Sequence, residues 1–184
     1  MSYLAPEQPL SFDEYLAFER RSLTKHELVD GRAYAMAGAS FAHNVLVANI
    51  IGSLRSALEA GGCYTLPSDM KVRTASKAYY PDASVVCGPP QFHDASEDVL
   101  LNPSILVEVL SDSTERIDRG EKLQAYTSMP SVTDYLLVAS RRVRVEHFAR
   151  TRNFQPLVLG AGDRITIANP PLNIGVQELY ARVF

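Results

Sequence analysis

The run Ser104-Ile105-Leu106-Val107-Glu108-Val109-Leu110 is apolar at odd and even positions alike, except at Glu108. Side chains alternate across a strand, so such a run has to be covered on both faces; it reads as a central strand of an α/β sheet with layers above and below it. The single carboxylate is the anomaly. An ionised carboxylate among Ile, Leu and Val costs several kcal/mol unless it is paired or bound to a cation.

Elements on either side of this strand support the layered arrangement. Ser11-Phe12-Asp13-Glu14 has the capping-box pattern and opens a short helix through about Arg20, with Phe12, Tyr15 and Leu16 as its inner face. Asp30-Gly31, within Lys25 to Met36, predicts a two-residue hairpin whose register sets Glu27 opposite Tyr34 and Val29 opposite Arg32. From Ser40, a candidate N-cap, Leu46, Val47, Ile50, Ile51, Leu54 and Leu58 recur at helical spacing until Gly61-Gly62. Strands are predicted over Cys63 to Thr74 and Tyr80 to Cys87, followed by an exposed loop from Gly88 to Asn102. After the central strand, Asp112 or Ser113 can cap a helix from about Glu115 to Met129, ended by Pro130. Strands at Asp134 to Ala139, Val143 to Phe148, Phe154 to Leu159 and Arg164 to Ile167 complete a mixed sheet flanked by helices, with a β-rich C-terminal extension.

The chain has 184 residues, 46% of them hydrophobic, which suits a single domain over residues 1–184. A formal net charge of −3 gives no global positive field, so any nucleic-acid contact has to use a local patch. The N-terminal stretch with Pro6 and Pro9 has no basic-then-apolar leader pattern, and no apolar run reaches spanning length, so a cytoplasmic protein with no membrane partner is expected. Cys63 and Cys87 are far apart and in no CxxC pattern, so neither a disulfide framework nor a zinc site is indicated.

Asp82, directly after Pro81 at the start of a predicted strand, can converge with Glu108 if the two strands pair. Two carboxylates at one point repel unless a cation lies between them. Magnesium is the natural choice: it takes oxygen ligands, binds through one or two carboxylates plus waters, and acts on phosphates. Lys122, on the following helix, is the candidate positive group to orient a water or stabilise developing charge.

Tyr80-Pro81-Asp82, Val107-Glu108-Val109-Leu110-Ser111 and Asp118-Arg119-Gly120-Glu121-Lys122 through Tyr126 resemble the Uma-two restriction endonucleases, a branch of the PD-(D/E)XK nuclease superfamily. The resemblance extends to Glu27-Leu28-Val29-Asp30-Gly31, to Met36-Ala37-Gly38 through His43-Asn44, and to Ser68-Asp69-Met70. It implies a restriction-endonuclease-like αβββαβ core over about residues 40–140 and a Mg-dependent endodeoxyribonuclease, with Mn as a possible substitute. Asp82 and Glu108 are then the metal ligands, Lys122 and Glu27 complete the catalytic set, DNA is the substrate, and a homodimer serves cutting of both strands. The superfamily's lysine two residues after the glutamate is replaced here by Leu110, and the resemblance transfers that role to Lys122.

Plainer readings accompany these. Asp118 and Lys122 are four apart and suit a surface helix pair; His43 and Tyr126 suit packing; Asp69, Lys71 and Arg73 suit the wet face of a strand. Arg141, Arg142, Arg144, Arg150 and Arg152 suit either a phosphate-tracking patch or a solvated edge that deters strand addition. The alternative function is a non-catalytic nucleic-acid or protein interaction module on an eroded nuclease scaffold, and a third is a phosphoesterase acting on a small nucleotide.

Overall fold

The computed structural model describes residues 9–184, so Pro6 of the N-terminal stretch lies outside the described residues. Helix α1 (Phe12–Glu19) begins at the predicted capping box: Glu14 N–H donates to Ser11 Oγ, and the Glu14 carboxylate accepts from Ser11 N–H. The hairpin β1 (His26–Val29) and β2 (Arg32–Ala35) has the expected register, Glu27 opposite Tyr34 and Val29 opposite Arg32. Asp30 and Gly31 both adopt positive φ, 48° and 77°, as a two-residue turn of this type requires. Helix α2 (Phe41–Leu58) is capped by Ser40, and a 3-10 turn (Glu59–Gly61) leads to Gly62 at φ 70°.

Of the two strands expected next, the first is split between two sheets and the second is shortened. Cys63 to Thr74 divides into β3 (Cys63–Pro67) and β4 (Lys71–Arg73), because Pro67 starts a turn closed by Met70 N–H. Of Tyr80 to Cys87 only β6 (Ala83–Cys87) is strand, starting beyond Pro81, and a separate short strand β5 (Ala78–Tyr79) in the other sheet precedes it. The expected exposed loop contains a buried strand, β7 (Val99–Leu100), which adds in parallel to β4. Lys71, expected on a wet face, is buried and pairs with Asp98 at 2.9 Å.

The central strand β8 (Ile105–Leu110) is buried at every position. The predicted helix from Glu115 to Met129 is interrupted: α3 (Glu115–Ile117), a π-helical turn (Asp118–Lys122), then α4 (Leu123–Thr127). Thr114 stands at its N-cap position, in place of Asp112 or Ser113. There follow β9 (Asp134–Ala139), β10 (Val145–Ala149), β11 (Pro156–Leu159) and β12 (Arg164–Ile167); β10 starts two residues later than predicted. A last strand β13 (Leu172–Gly175) and helix α5 (Val176–Leu179), unforeseen in the sequence, close the chain.

The six-stranded sheet has the order β11-β10-β9-β8-β6-β3, and a five-stranded sheet has the order β2-β1-β5-β4-β7. Within the larger sheet α2, β3, β6, β8, the interrupted helix and β9 follow as α-β-β-β-α-β, with β8 and β9 parallel. One face of β8 (Ile105, Val107, Val109) packs on Leu46, Ile50 and Leu54 of α2. The other (Leu106, Leu110) packs with Tyr126, Met129 and Tyr135. Both faces are covered, as the apolar run demands.

The absence of a disulfide, expected from sequence, is corrected here. The β3/β6 register sets Cys63 directly opposite Cys87, with Cα atoms 4.1 Å apart, and the two are disulfide-bonded. Their separation of 24 residues concealed a cross-strand neighbourhood. Among the described residues no helix is long and apolar enough to cross a membrane.

Candidate active site

Glu108 lies on the face of β8 that turns toward the interrupted helix. Its Oε1 accepts from Lys122 Nζ at 3.0 Å and from Tyr126 Oη at 2.9 Å. Lys122 Nζ also lies 3.0 Å from Glu27 Oε1 and 3.4 Å from Asp118 Oδ1. Glu27 reaches this point from β1 of the smaller sheet, and its Oε1 also accepts from Tyr80 N–H at 3.2 Å. Lys122 is thus the hub of three carboxylates drawn from three elements. The π turn carries both Asp118 and Lys122, and such turns recur where a helix re-aims side chains at functional sites.

Asp82 sits immediately before β6. The ladder pairs Ala83 with Val107, and one step further along the same register sets Asp82 level with Glu108. There the carboxylate replaces the ladder: Asp82 Oδ2 accepts from Val109 N–H at 2.7 Å. His43, in the first turn of α2, brings Nε2 to 3.3 Å from the same oxygen. The strand pairing on which convergence of Asp82 and Glu108 depends is therefore present.

The electrostatics follow from burial and an excess of negative charge. Burial lifts the Glu108 carboxyl well above its usual range; Lys122 opposes this, while Asp82, Asp118 and Glu27 add to it. Asp118 is raised as well, first by burial, with the Lys122 ammonium beside its buried Oδ1 at 3.4 Å opposing the rise. Lys122 moves upward: burial disfavours its charge, but Glu108, Glu27 and Asp118 outweigh burial and keep it an ammonium. Burial likewise disfavours the charged form of His43, and Asp82 overcomes it, so His43 titrates above its usual value.

Four carboxylates crowd round one lysine and one histidine, and Glu108 and Asp118 are displaced toward their protonated forms; a cation beside them would favour the ionised forms. The donors are hard oxygens, the chemistry that suits Mg2+ or Mn2+, and magnesium commonly uses one or two carboxylates with waters completing its shell. Among the described residues no cluster of three or more His, Cys, Asp or Glu stands ready as a closed metal cage.

Three of the four sequence-predicted site residues, Glu27, Glu108 and Lys122, meet directly, while Asp82 is held by Val109 N–H and His43 and acts on Glu108 through space. Asp118 and Lys122 form a buried pair, not a surface one, with Asp118 1% and Lys122 5% exposed. Tyr126, expected to pack, donates to Glu108 as well as packing against Tyr79 and Tyr135. Its position one helical turn after Lys122 was the available signal. His43, expected to be a satisfied core or interface histidine, faces Asp82, and its Nδ1 is buried without a partner. Leu110, at the usual lysine position, is 5% exposed in the apolar cluster around Tyr126, and the ammonium arrives from Lys122 on the helix.

A family model, Uma2, described as "Putative restriction endonuclease", matches residues 12–181. Two uncharacterized proteins of Synechocystis sp. are similar over most of their length. One is 36% identical over 180 residues, covering 96% of this chain and 94% of the relative; the other is 34% identical over 160 residues, covering 86% and 90%. A crystal structure of a "putative nuclease belonging to DUF820" from Anabaena variabilis has the same fold, with a TM-score of 0.80 at 12% identity over 96% of this chain and 100% of that one.

Proposed function

The chain belongs to the Uma2 family of restriction-endonuclease-like proteins, and from that premise we propose that it hydrolyses DNA phosphodiester bonds as a Mg-dependent endonuclease. The observation that carries this reading is the meeting of Lys122 with Glu108 and Glu27 at 3.0 Å each, beside a paired strand that sets Asp82 level with Glu108. Asp82 and Glu108 would hold the metal, with Mn2+ as a substitute for Mg2+. When bound, the ion would polarise a phosphoryl oxygen and lower the pKa of a water.

The chain's own residues set up the rest. Lys122, held protonated by its carboxylates, offers an ammonium where charge develops on the phosphate. Glu27 fixes the position of that ammonium, and Tyr126 fixes the Glu108 carboxylate. His43 and Val109 N–H orient Asp82. Asp82, Glu27 and His43 remain partly exposed, at 19%, 16% and 14% of their side-chain surface, and so form the accessible edge beside the buried Glu108 and Lys122. Cutting both strands of a duplex takes two such sites, and a homodimer is part of the proposal.

The test is nicking or linearisation of plasmid DNA by purified protein across Mg2+ and Mn2+ concentrations. Wild type should cut, and Asp82→Ala and Glu108→Ala should lose at least 100-fold in rate, about the scale of removing a central catalytic group. Wild type indistinguishable from both variants under every metal condition would refute the reading. In that case the favoured reading becomes an interaction module on the same scaffold.

A further inference from the structure

The structure sorts the five arginines between Arg141 and Arg152 into different duties. Arg150 donates to the carbonyls of Val132 at 2.9 Å and Met129 at 2.6 Å, and Arg152 to that of His147 at 2.9 Å. Arg144 is held by Glu146 at 3.0 Å. These three fasten the fold. Arg141 and Arg142 remain, both exposed in the turn between β9 and β10. Arg141 pairs with Asp112, but the partners are 78% and 69% exposed, and a pair so open to water holds weakly. Arg142 pairs with no carboxylate among the described residues.

Beside them lies a cleft of about 250 Å³ at the C-terminal ends of β8 and β9. Leu110, Ala139, Ser111 and Ser140 line it together with Arg141 and Arg142; two carboxylates line it as well, Glu115, which is held by the lining Arg119 at 2.7 Å, and Asp112, the partner of Arg141, so three arginines face two acids. Ser140 Oγ donates to Leu110 O at 2.6 Å and so ties the two strand ends together. β8 and β9 are parallel, and the crevice outside the carboxyl ends of such strands is where open α/β sheets commonly take ligands. Leu110 is two residues beyond Glu108 on the same face of β8, a distance of about 7 Å at roughly 3.3 Å per residue. The cleft is therefore a near neighbour of the candidate active site on the same strand.

We propose that this cleft binds one backbone phosphate of a nucleic acid next to the phosphate at Glu108, with Arg142 and Arg141 as the charged contacts. The identity of the ligand rests on the nuclease reading; binding itself requires no cutting. Arg142 engages the anion directly, and Arg141 exchanges its weak partner Asp112 for the phosphate.

Fluorescence anisotropy with a labelled DNA duplex, in Ca2+ and separately in chelator, from 50 to 200 mM salt, tests the proposal on the full chain. Arg142→Ala should weaken binding about fivefold and lower the salt slope by about 1, the signature of one lost phosphate contact. Arg55→Ala, which removes another exposed charge, on α2, should change neither. Inorganic phosphate should compete more weakly against Arg142→Ala than against wild type. Equal effects of Arg55→Ala and Arg142→Ala, an unchanged slope in Arg142→Ala, or no duplex binding at all would overturn the cleft. Normal cutting with an unaffected Arg142→Ala would remove the cleft alone. Arg142-dependent binding without cutting by wild type would remove the nuclease reading and leave the cleft standing.

Discussion

Replacing Lys122 by Met tests whether the lysine is the keystone of a buried charge cluster. The ammonium is 6% exposed and touches Glu27 and Glu108 at 3.0 Å and Asp118 at 3.4 Å. At an effective dielectric of 20, Coulomb's law makes each contact worth about 5 kcal/mol in gross attraction. The net loss is smaller, because Glu108 and Asp118 are already displaced toward their protonated forms and can take up protons when the ammonium goes. Breaking one partner out of a buried pair costs about 3–5 kcal/mol, and that is the expected destabilisation at neutral pH. For a domain of this size it corresponds to a fall in Tm of about 6–20 °C. Chemical denaturation followed by circular dichroism measures it. Combining Lys122→Met with Glu108→Gln should restore about 1–3 kcal/mol, since the second change removes a carboxylate the first left uncompensated. A loss below about 1 kcal/mol for the single variant, or strict additivity in the double, would mean that the lysine is effectively solvated and the keystone argument wrong.

Two further predictions concern the metal-free chain. Because the folded state holds the Glu108 carboxyl above its unfolded value, folded protein binds more protons than unfolded as pH rises from about 4.5, and stability should decline over that window. Glu108→Gln should flatten the decline in a pH series of denaturation midpoints; a slope equal to that of wild type would refute it. Joint replacement of Cys63 and Cys87 by Ser removes a cross-link spanning 24 residues and should cost up to about 3.5 kcal/mol by the loop-entropy relation, with no cost at all telling against a formed bond.

The parts of this molecule legible in its sequence are those in which local chemistry agrees with the global fold. The capping box at Ser11, the Asp30-Gly31 turn and the apolar periodicity of α2 each specify geometry within a few residues, and each is found where expected. The strand around Glu108 was legible because an apolar run broken by one carboxylate admits few interpretations. What stayed hidden depends on which distant segment lies alongside. The splitting of Cys63 to Thr74 between two sheets, and the placing of β5 and β6 in different sheets, are set by sheet partners that local β-propensity does not name, and the Cys63–Cys87 bond is visible only after β3 and β6 are paired.

The candidate site shows the same division. Glu108 and Asp82 could be singled out because a carboxylate in an apolar strand and a carboxylate beside a proline at a strand start each raise a local question. Lys122 answers the question raised by Leu110, and the answer is geometric. A lysine two residues after Glu108 would lie on the same strand face, where Leu110 instead packs against the Tyr126 cluster. The π turn rotates Asp118 and Lys122 inward over that face, so the ammonium reaches Glu108 from above the sheet and not from within it. A positive charge at the glutamate is thus kept while its covalent origin moves to another element. The exchange binds the site's integrity to the seating of the interrupted helix, so perturbations that loosen α3 to α4 should disturb Glu108 before they disturb the sheet.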